Sequence, residues 1–248
     1  MPAYRQRWTD ARRKRMLKFV FHHKPVEKKE DGVIYIDNSQ SEYDHREFSE
    51  IAGYKILANM LNEKLEDGSS KYNDNLWISL NHYRREFDKD AIDRTYIPQP
   101  MILPTTVAAH YGIYHNIDDL HLCGQAVKEE FPHLVQPLEQ VWNGNMFIPY
   151  NMAILTVSQF RDYSNFLFKV LENLHKKIGT STYEGRLDYI KRYPEKYTGE
   201  YKNNDPVYAA RIESFCAERL STFYWIYVSK QMPVFPCKVN LLEENQKI

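Results

Sequence analysis

"LWISLNHYRREF" (residues 76–87) decides how the chain is read. Leu76 to Leu80 form an apolar run short enough for a buried strand and too short for a helix. The run leads straight into Asn81-His82-Tyr83-Arg84-Arg85-Glu86, so two guanidinium groups stand where a central strand leaves a core. Open α/β sheets bind their ligands outside the carboxyl ends of strands. Arg84 and Arg85, beside His82 and Tyr83, are therefore expected at a ligand, and guanidinium forks grip phosphate oxygens bidentately. The competing reading is a structural ion pair with Glu86, Asp88 or Asp90.

Working outward, "LKFVFHHKP" (17–25) and "GVIYIDNS" (32–39) read as two further strands. "REFSEIAGYKILANMLNEK" (46–64) carries Phe48, Ile51, Ala52, Ile56, Leu57, Met60 and Leu61 at a helical period. Strand, strand, helix, strand favours a layered α/β domain over a bundle. Beyond residue 91 the prolines of "YIPQPMILPTT" (96–106) predict irregular chain or an edge strand. A helix is predicted over 117–134, opening at Asp118 and Asp119, and a strand over 147–157. An amphipathic helix over 158–179 is expected to be capped by Ser158 and ended by Gly179. Residues 188–206 read as a polar loop and 207–230 as a last helix. The expected organisation is a basic arm (1–16), one domain (17–236) with a mainly helical C-terminal part, and a tail (237–248).

The chain has 248 residues, 43% of them hydrophobic, which is enough for a substantial core. Its 33 basic and 33 acidic residues cancel, so it lacks the basic footprint of a nucleic-acid partner. Arg5, Arg7, Arg12, Arg13 and Arg15, with Trp8, read either as a solvated arm or as a weak anchor on anionic lipid. No window approaches 18 apolar residues, so no membrane span is expected. Cys123, Cys216 and Cys237 fit neither a disulfide framework nor a zinc pattern. A cytoplasmic location, peripheral on the inner membrane face at most, is the expectation.

Asp88 and Asp90 of "DKD" match a two-carboxylate pattern that holds magnesium or manganese against a diphosphate, although such a triplet is common by chance. "HH" (22–23) and "HYGIYH" (110–115) lack a third ligand at usable spacing for zinc. The chain contains no G-x-G-x-x-G, Walker loop or G-x-S-x-G, which argues against dinucleotide binding, nucleoside-triphosphatase chemistry and serine hydrolysis. In "AERLSTFYW", Glu218 reads either as part of a surface stripe or, close to apolar walls, as a general base whose proton affinity is raised by desolvation. Asp118 and Asp119 are the next candidates.

Six stretches, "KFVFHHKP", "SEIAGYKIL", "WISLNHYRREF", "ILPTTVAAHYGIYHNIDDLHL", "NMFIPYNMAIL" and "CAERLSTFYW", occur in this order over about 17–236. Together they resemble a bacterial glycosyltransferase-like family, first catalogued as a domain of unknown function, of capsule, exopolysaccharide and lipopolysaccharide clusters. The resemblance implies a GT-A-like, Rossmann-related domain that takes a nucleotide-diphosphate sugar as donor and a glycan or lipid-linked acceptor. It places His22, His23 and Lys24 at the nucleotide, Arg84 and Arg85 at the diphosphate, and Asn151 and Glu218 at the sugar and acceptor. Where GT-A enzymes generally have D-x-D, this chain has H-Y-R-R. The arginines then either share the diphosphate with manganese or magnesium at Asp88 and Asp90, or replace the metal. Two rival readings are a non-catalytic sugar-nucleotide or glycan-binding subunit and a sugar-phosphate nucleotidyltransferase.

Overall fold

The protein's structure is a computed structural model that describes residues 16–23, 30–88, 94–192 and 206–242. Strands β1 (Leu17–His22) and β2 (Val33–Asp37) come first, followed by a short helix α1 (His45–Phe48) and by α2 (Glu50–Leu61). Next come β3 (Trp77–His82), β4 (Arg85–Phe87), β5 (Thr95–Pro98) and β6 (Met101–Ile102). Helices α3 (Val107–Tyr114), α4 (Ile117–Glu130) and α5 (Val135–Trp142) lead to β7 (Met146–Phe147) and β8 (Ala153–Thr156). Then follow α6 (Val157–Ile178), α7 (Tyr183–Arg192), α8 (Pro206–Ala209), α9 (Ile212–Ser229), β9 (Val234–Cys237) and β10 (Val239–Leu241).

The main sheet runs β2-β1-β3-β8-β5-β9, and β4 with β10 forms an offshoot at the end of β3. β1 pairs in parallel with both β2 and β3, and β5 with β9, while β8 runs against β3 and β5. Alternation along the strands gives each face its own core. Ile78 and Leu80 of β3 and Ala153 and Leu155 of β8 join the large cluster beneath the helices. Trp77, Met152 and Ile154 point the other way, into a smaller cluster with Phe87, Tyr96 and Cys237. All three cysteines are buried, and none is in a disulfide.

The long amphipathic helix begins at Val157, and its cap lies two residues earlier than expected. Thr156, not Ser158, caps α6: its hydroxyl accepts from the Gln159 N–H, and the Gln159 side chain returns a bond to the Thr156 N–H. Gly179, at φ 75°, ends the helix as expected. Phe160, Tyr163, Leu167, Leu171 and Leu174 bury its inner face, each side chain contributing about 1.5–3 kcal/mol relative to exposure.

Other boundaries differ where tertiary contacts override local pattern. The period over 46–64 predicts one helix, but the chain breaks at Ser49 (φ 50°, ψ −128°) into α1 and α2. Gly53 lets α2 lie close against β1, because a Cβ there would meet Asn38 Oδ1 at 2.3 Å and Phe21 at 2.5 Å. Residues 188–192, expected as loop, end a helix over 183–192, and 107–114 and 135–142 are further helices. The last helix is interrupted at residues 210–211. Beyond residue 237, β10 pairs with β4 from Val239↔Phe87 to Leu241↔Arg85, so this part of the expected tail belongs to the sheet. Among the described residues no helix is long and apolar enough to cross a membrane. Residues 1–15 of the basic arm lie outside the described residues.

Candidate active site

β1 and β3 are parallel neighbours, so Phe21 and His82 end side by side. A cleft of about 270 Å³ opens at that end of the sheet. His82, Arg84 and Arg85 come to it from the β3–β4 hairpin, Ser49 and Glu50 from the α1–α2 break, Tyr150 and Asn151 from the approach to β8, and Arg211 and Glu218 from α9. The cleft thus collects His82, Arg84, Arg85, Asn151 and Glu218 from segments more than 130 residues apart, the residues that sequence reasoning had singled out.

Neither Arg84 nor Arg85 forms an ion pair with a described residue. Glu86, their nearest candidate partner, is instead bonded to Lys18 at 2.9 Å. The Arg84 guanidinium lies 5.1 Å from the centre of the Tyr83 ring, and that of Arg85 4.3 Å from the Tyr150 ring. Stacked in this way, the two cations keep their N–H donors for a ligand. Tyr83 itself is packed between His82 at 4.3 Å and His23 at 5.2 Å. Burial, assisted by Arg84 and Arg85 and opposed by Glu50, pushes His82 down to about 4. The ring is therefore neutral at physiological pH, and its Nδ1 accepts from the Arg84 N–H at 3.2 Å.

Two carboxylates face these arginines with opposite tendencies. Glu218 is raised above the ordinary carboxylate range by burial; Arg219 opposes that shift and Glu50 adds to it. Its Oε2 lies 3.5 Å from Arg219 Nη1, a contact too long for a strong bond. Burial also works on Glu50, but His82, the Ser49 hydroxyl and the Asn151 amide outweigh it and hold the group low. The Asn151 amide closes a buried chain: Tyr163 donates to Ser221 at 2.6 Å, Ser221 to Asn151 Oδ1 at 2.8 Å, and Asn151 Nδ2 to Glu50 at 3.0 Å. One wall group is thus fixed as an anion, while the other is poised to take a proton.

The backbone is strained at the same place. Ser49 and Tyr150 (φ 66°) are the non-glycine residues with positive φ among those described, and both line the cleft. Such conformations cost about 1–3 kcal/mol each and concentrate at functional sites.

Other expected residues lie elsewhere. His22 ends β1 buried against Tyr35, and His23 packs on Tyr83 and His45; neither lines the cleft. Asp118 and Asp119 are at the start of α4, where Asn116 caps the helix, so their charge complements the helix terminus and does not face the cleft. Asp88 lines a separate depression with Lys18 and Glu86. Lys24 and Asp90 lie outside the described residues. Among the described residues no three His, Cys, Asp or Glu side chains converge as a metal site. Asp88, the described carboxylate of the D-K-D triplet, does not line the cleft.

Sequence reasoning missed Ser49, Glu50, Tyr150, Arg211, Phe215, Tyr208 and His115. Two of them left a trace in the sequence: Tyr150 follows a proline, and His115 ends the "HYGIYH" stretch that lacks a zinc pattern.

The model of the family described as a domain of unknown function (DUF4422) matches residues 69–194, half of the chain, and the chain belongs to that family. No curated protein matches. The fold is similar to the apo structure of WbbM, a bifunctional glycosyltransferase, with a TM-score of 0.61 and 15% identity over 91% of this chain. The match covers 45% of that longer protein, and at this identity the likeness establishes the fold, the layered α/β class with a central sheet flanked by helices that the sequence predicts.

Proposed function

We propose that the chain is a glycosyltransferase that moves a sugar from a nucleotide-diphosphate sugar to a hydroxyl of a glycan or lipid-linked acceptor in surface-polysaccharide assembly. One observation carries this reading: two arginines without ion-pair partners among the described residues and a carboxylate of raised proton affinity share a cleft at the carboxyl ends of β1 and β3. Transfer separates charge. The departing nucleotide diphosphate gains negative charge, which Arg84 and Arg85 neutralise, and the acceptor hydroxyl loses a proton, which Glu218 accepts. The reading takes further support from the fold shared with a glycosyltransferase.

Calorimetry on Arg84→Ala and Arg85→Ala with uridine and guanosine diphosphates tests it. Losing one charge-assisted partner costs about 1.5–3 kcal/mol of diphosphate affinity and leaves nucleoside affinity nearly unchanged. Wild-type diphosphate affinity in both variants would remove the clamp.

A further inference from the structure

The cleft continues past Glu218. Arg211, Ser214, Phe215 and Glu218 line it from one face of α9 and its entry, at the i, i+3, i+4, i+7 spacing of a single helix stripe. At 1.5 Å per residue, Arg211 stands roughly 10 Å along the helix from Glu218. Glu218 is tied to the other end, because the Tyr150 backbone is hydrogen-bonded to its carboxylate and Arg85 stacks on the Tyr150 ring. The proton acceptor therefore has cations on both sides, Arg84 and Arg85 on one and Arg211 on the other.

The Arg211 end is built differently from the first. His115 stacks on Phe215 with ring centres 3.9 Å apart and planes 20° apart, and Tyr208 meets Phe215 at 4.9 Å. Burial pushes His115 down to about 3, so this aromatic wall is uncharged at neutral pH. Arg211 makes no ion pair with a described residue. A flat apolar wall beside a guanidinium that has no ion-pair partner among the described residues suits a sugar ring that lays its C–H face on the aromatics and offers an anion to the arginine.

We propose that the Arg211–Phe215 end of the cleft is the acceptor subsite, and that it selects an acceptor sugar bearing an anionic group, a ring carboxylate or a phosphate. The inference rests on the transferase reading above, which places the donor diphosphate at Arg84 and Arg85.

Ligand-observed NMR titration tests it with methyl glucoside, methyl glucuronide and glucose 1-phosphate against wild type, Arg211→Gln and Phe215→Leu. Wild type is expected to bind at least one anionic sugar about tenfold more tightly than the neutral glucoside, the scale of one charge-assisted contact. Which anionic sugar gains identifies carboxylate or phosphate as the recognised group. Arg211→Gln should erase the preference and leave glucoside binding as it was, whereas Phe215→Leu should weaken all three sugars. Uridine and guanosine diphosphate titrations keep the two ends apart, since they should respond to Arg84→Ala and Arg85→Ala and not to either α9 variant. The subsite is refuted by a wild type without preference, by a preference that survives Arg211→Gln, or by Phe215→Leu weakening the nucleotides as much as the sugars. If the nucleotides ignore Arg84 and Arg85 while Arg211→Gln still erases the preference, the donor assignment fails and the anionic subsite stands.

Discussion

Replacing Arg186 by methionine removes the most deeply buried cation among the described residues. Its guanidinium is fully buried and donates to both Glu213 oxygens, at 3.0 and 2.8 Å, to Thr180 Oγ1 at 2.7 Å and to the Ala210 carbonyl at 3.3 Å. Glu47 Oε1 stands 3.6 Å away, buried and with no hydrogen bond of its own. Methionine keeps much of the aliphatic volume, so the loss is electrostatic: Glu213, itself fully buried, stays charged with only His175, at 2.8 Å, to answer it. Breaking a buried pair from one side typically costs about 3–5 kcal/mol. Against a usual domain stability of about 5–15 kcal/mol, Arg186→Met should remain folded at 25 °C with a much lower urea midpoint. Removing the acids as well, in Arg186→Met/Glu213→Leu/Glu47→Gln, should recover most of the loss, because an apolar replacement of a whole buried ion set is often neutral. Urea unfolding followed by circular dichroism measures both. If Arg186→Met stays within about 1 kcal/mol of wild type, or the triple variant is no better than the single one, the network does not hold α7 and α9 together as argued.

Glu218→Gln should reduce transfer by roughly two to four orders of magnitude, the usual contribution of a general base, with nucleotide-diphosphate affinity unchanged. In wild type the base must be deprotonated, so kcat/KM should fall as pH drops through a value above the ordinary carboxylate range; near-normal turnover of the variant would remove Glu218 from the chemistry. Burial raises Glu47 to about 7, and Glu213 pushes the same way against Arg186. The folded state then binds more protons than the unfolded one between about pH 4.5 and 7, so this group lowers stability as pH rises through that window, by at most about 3 kcal/mol. His175, also raised, changes stability in the same direction. Glu47→Gln should flatten the difference between urea midpoints at pH 5.5 and pH 8, and an undiminished slope would place the effect elsewhere. Asn151→Leu takes away the acceptor of the Ser221 hydroxyl and one of the side-chain donors to Glu50, which keeps Ser49, and should cost about 1–3 kcal/mol in the same unfolding assay; a variant as stable as wild type would mean that the Tyr163-to-Glu50 chain contributes nothing net.

Legibility of the site depended on whether a residue clashes with its own local pattern. Arg84 and Arg85 were visible because charge follows an apolar run, and Glu218 because a carboxylate interrupts one. Thr156 and Gln159 carried a capping-box spacing that was legible too, yet Ser158 drew the assignment because the apolar period begins beside it. Glu50 sits in a helix full of mixed residues, where nothing local distinguishes it from a solvated glutamate. Its role comes from Asn151, 101 residues away, which is itself oriented by Ser221. The same applies to Arg186 and Glu213, 27 residues apart in sequence, and to Glu47 on α1. Glu47 links this hidden network to the visible site, because it lies two residues before Ser49, whose strained backbone turns Glu50 into the cleft. The α1–α2 break is therefore held from both sides, by the buried charges under α1 and by the Asn151 amide on Glu50. Neither hold exists until strands and helices far apart in sequence have packed, so the break that completes the cleft has no local signature that a period or a motif could show.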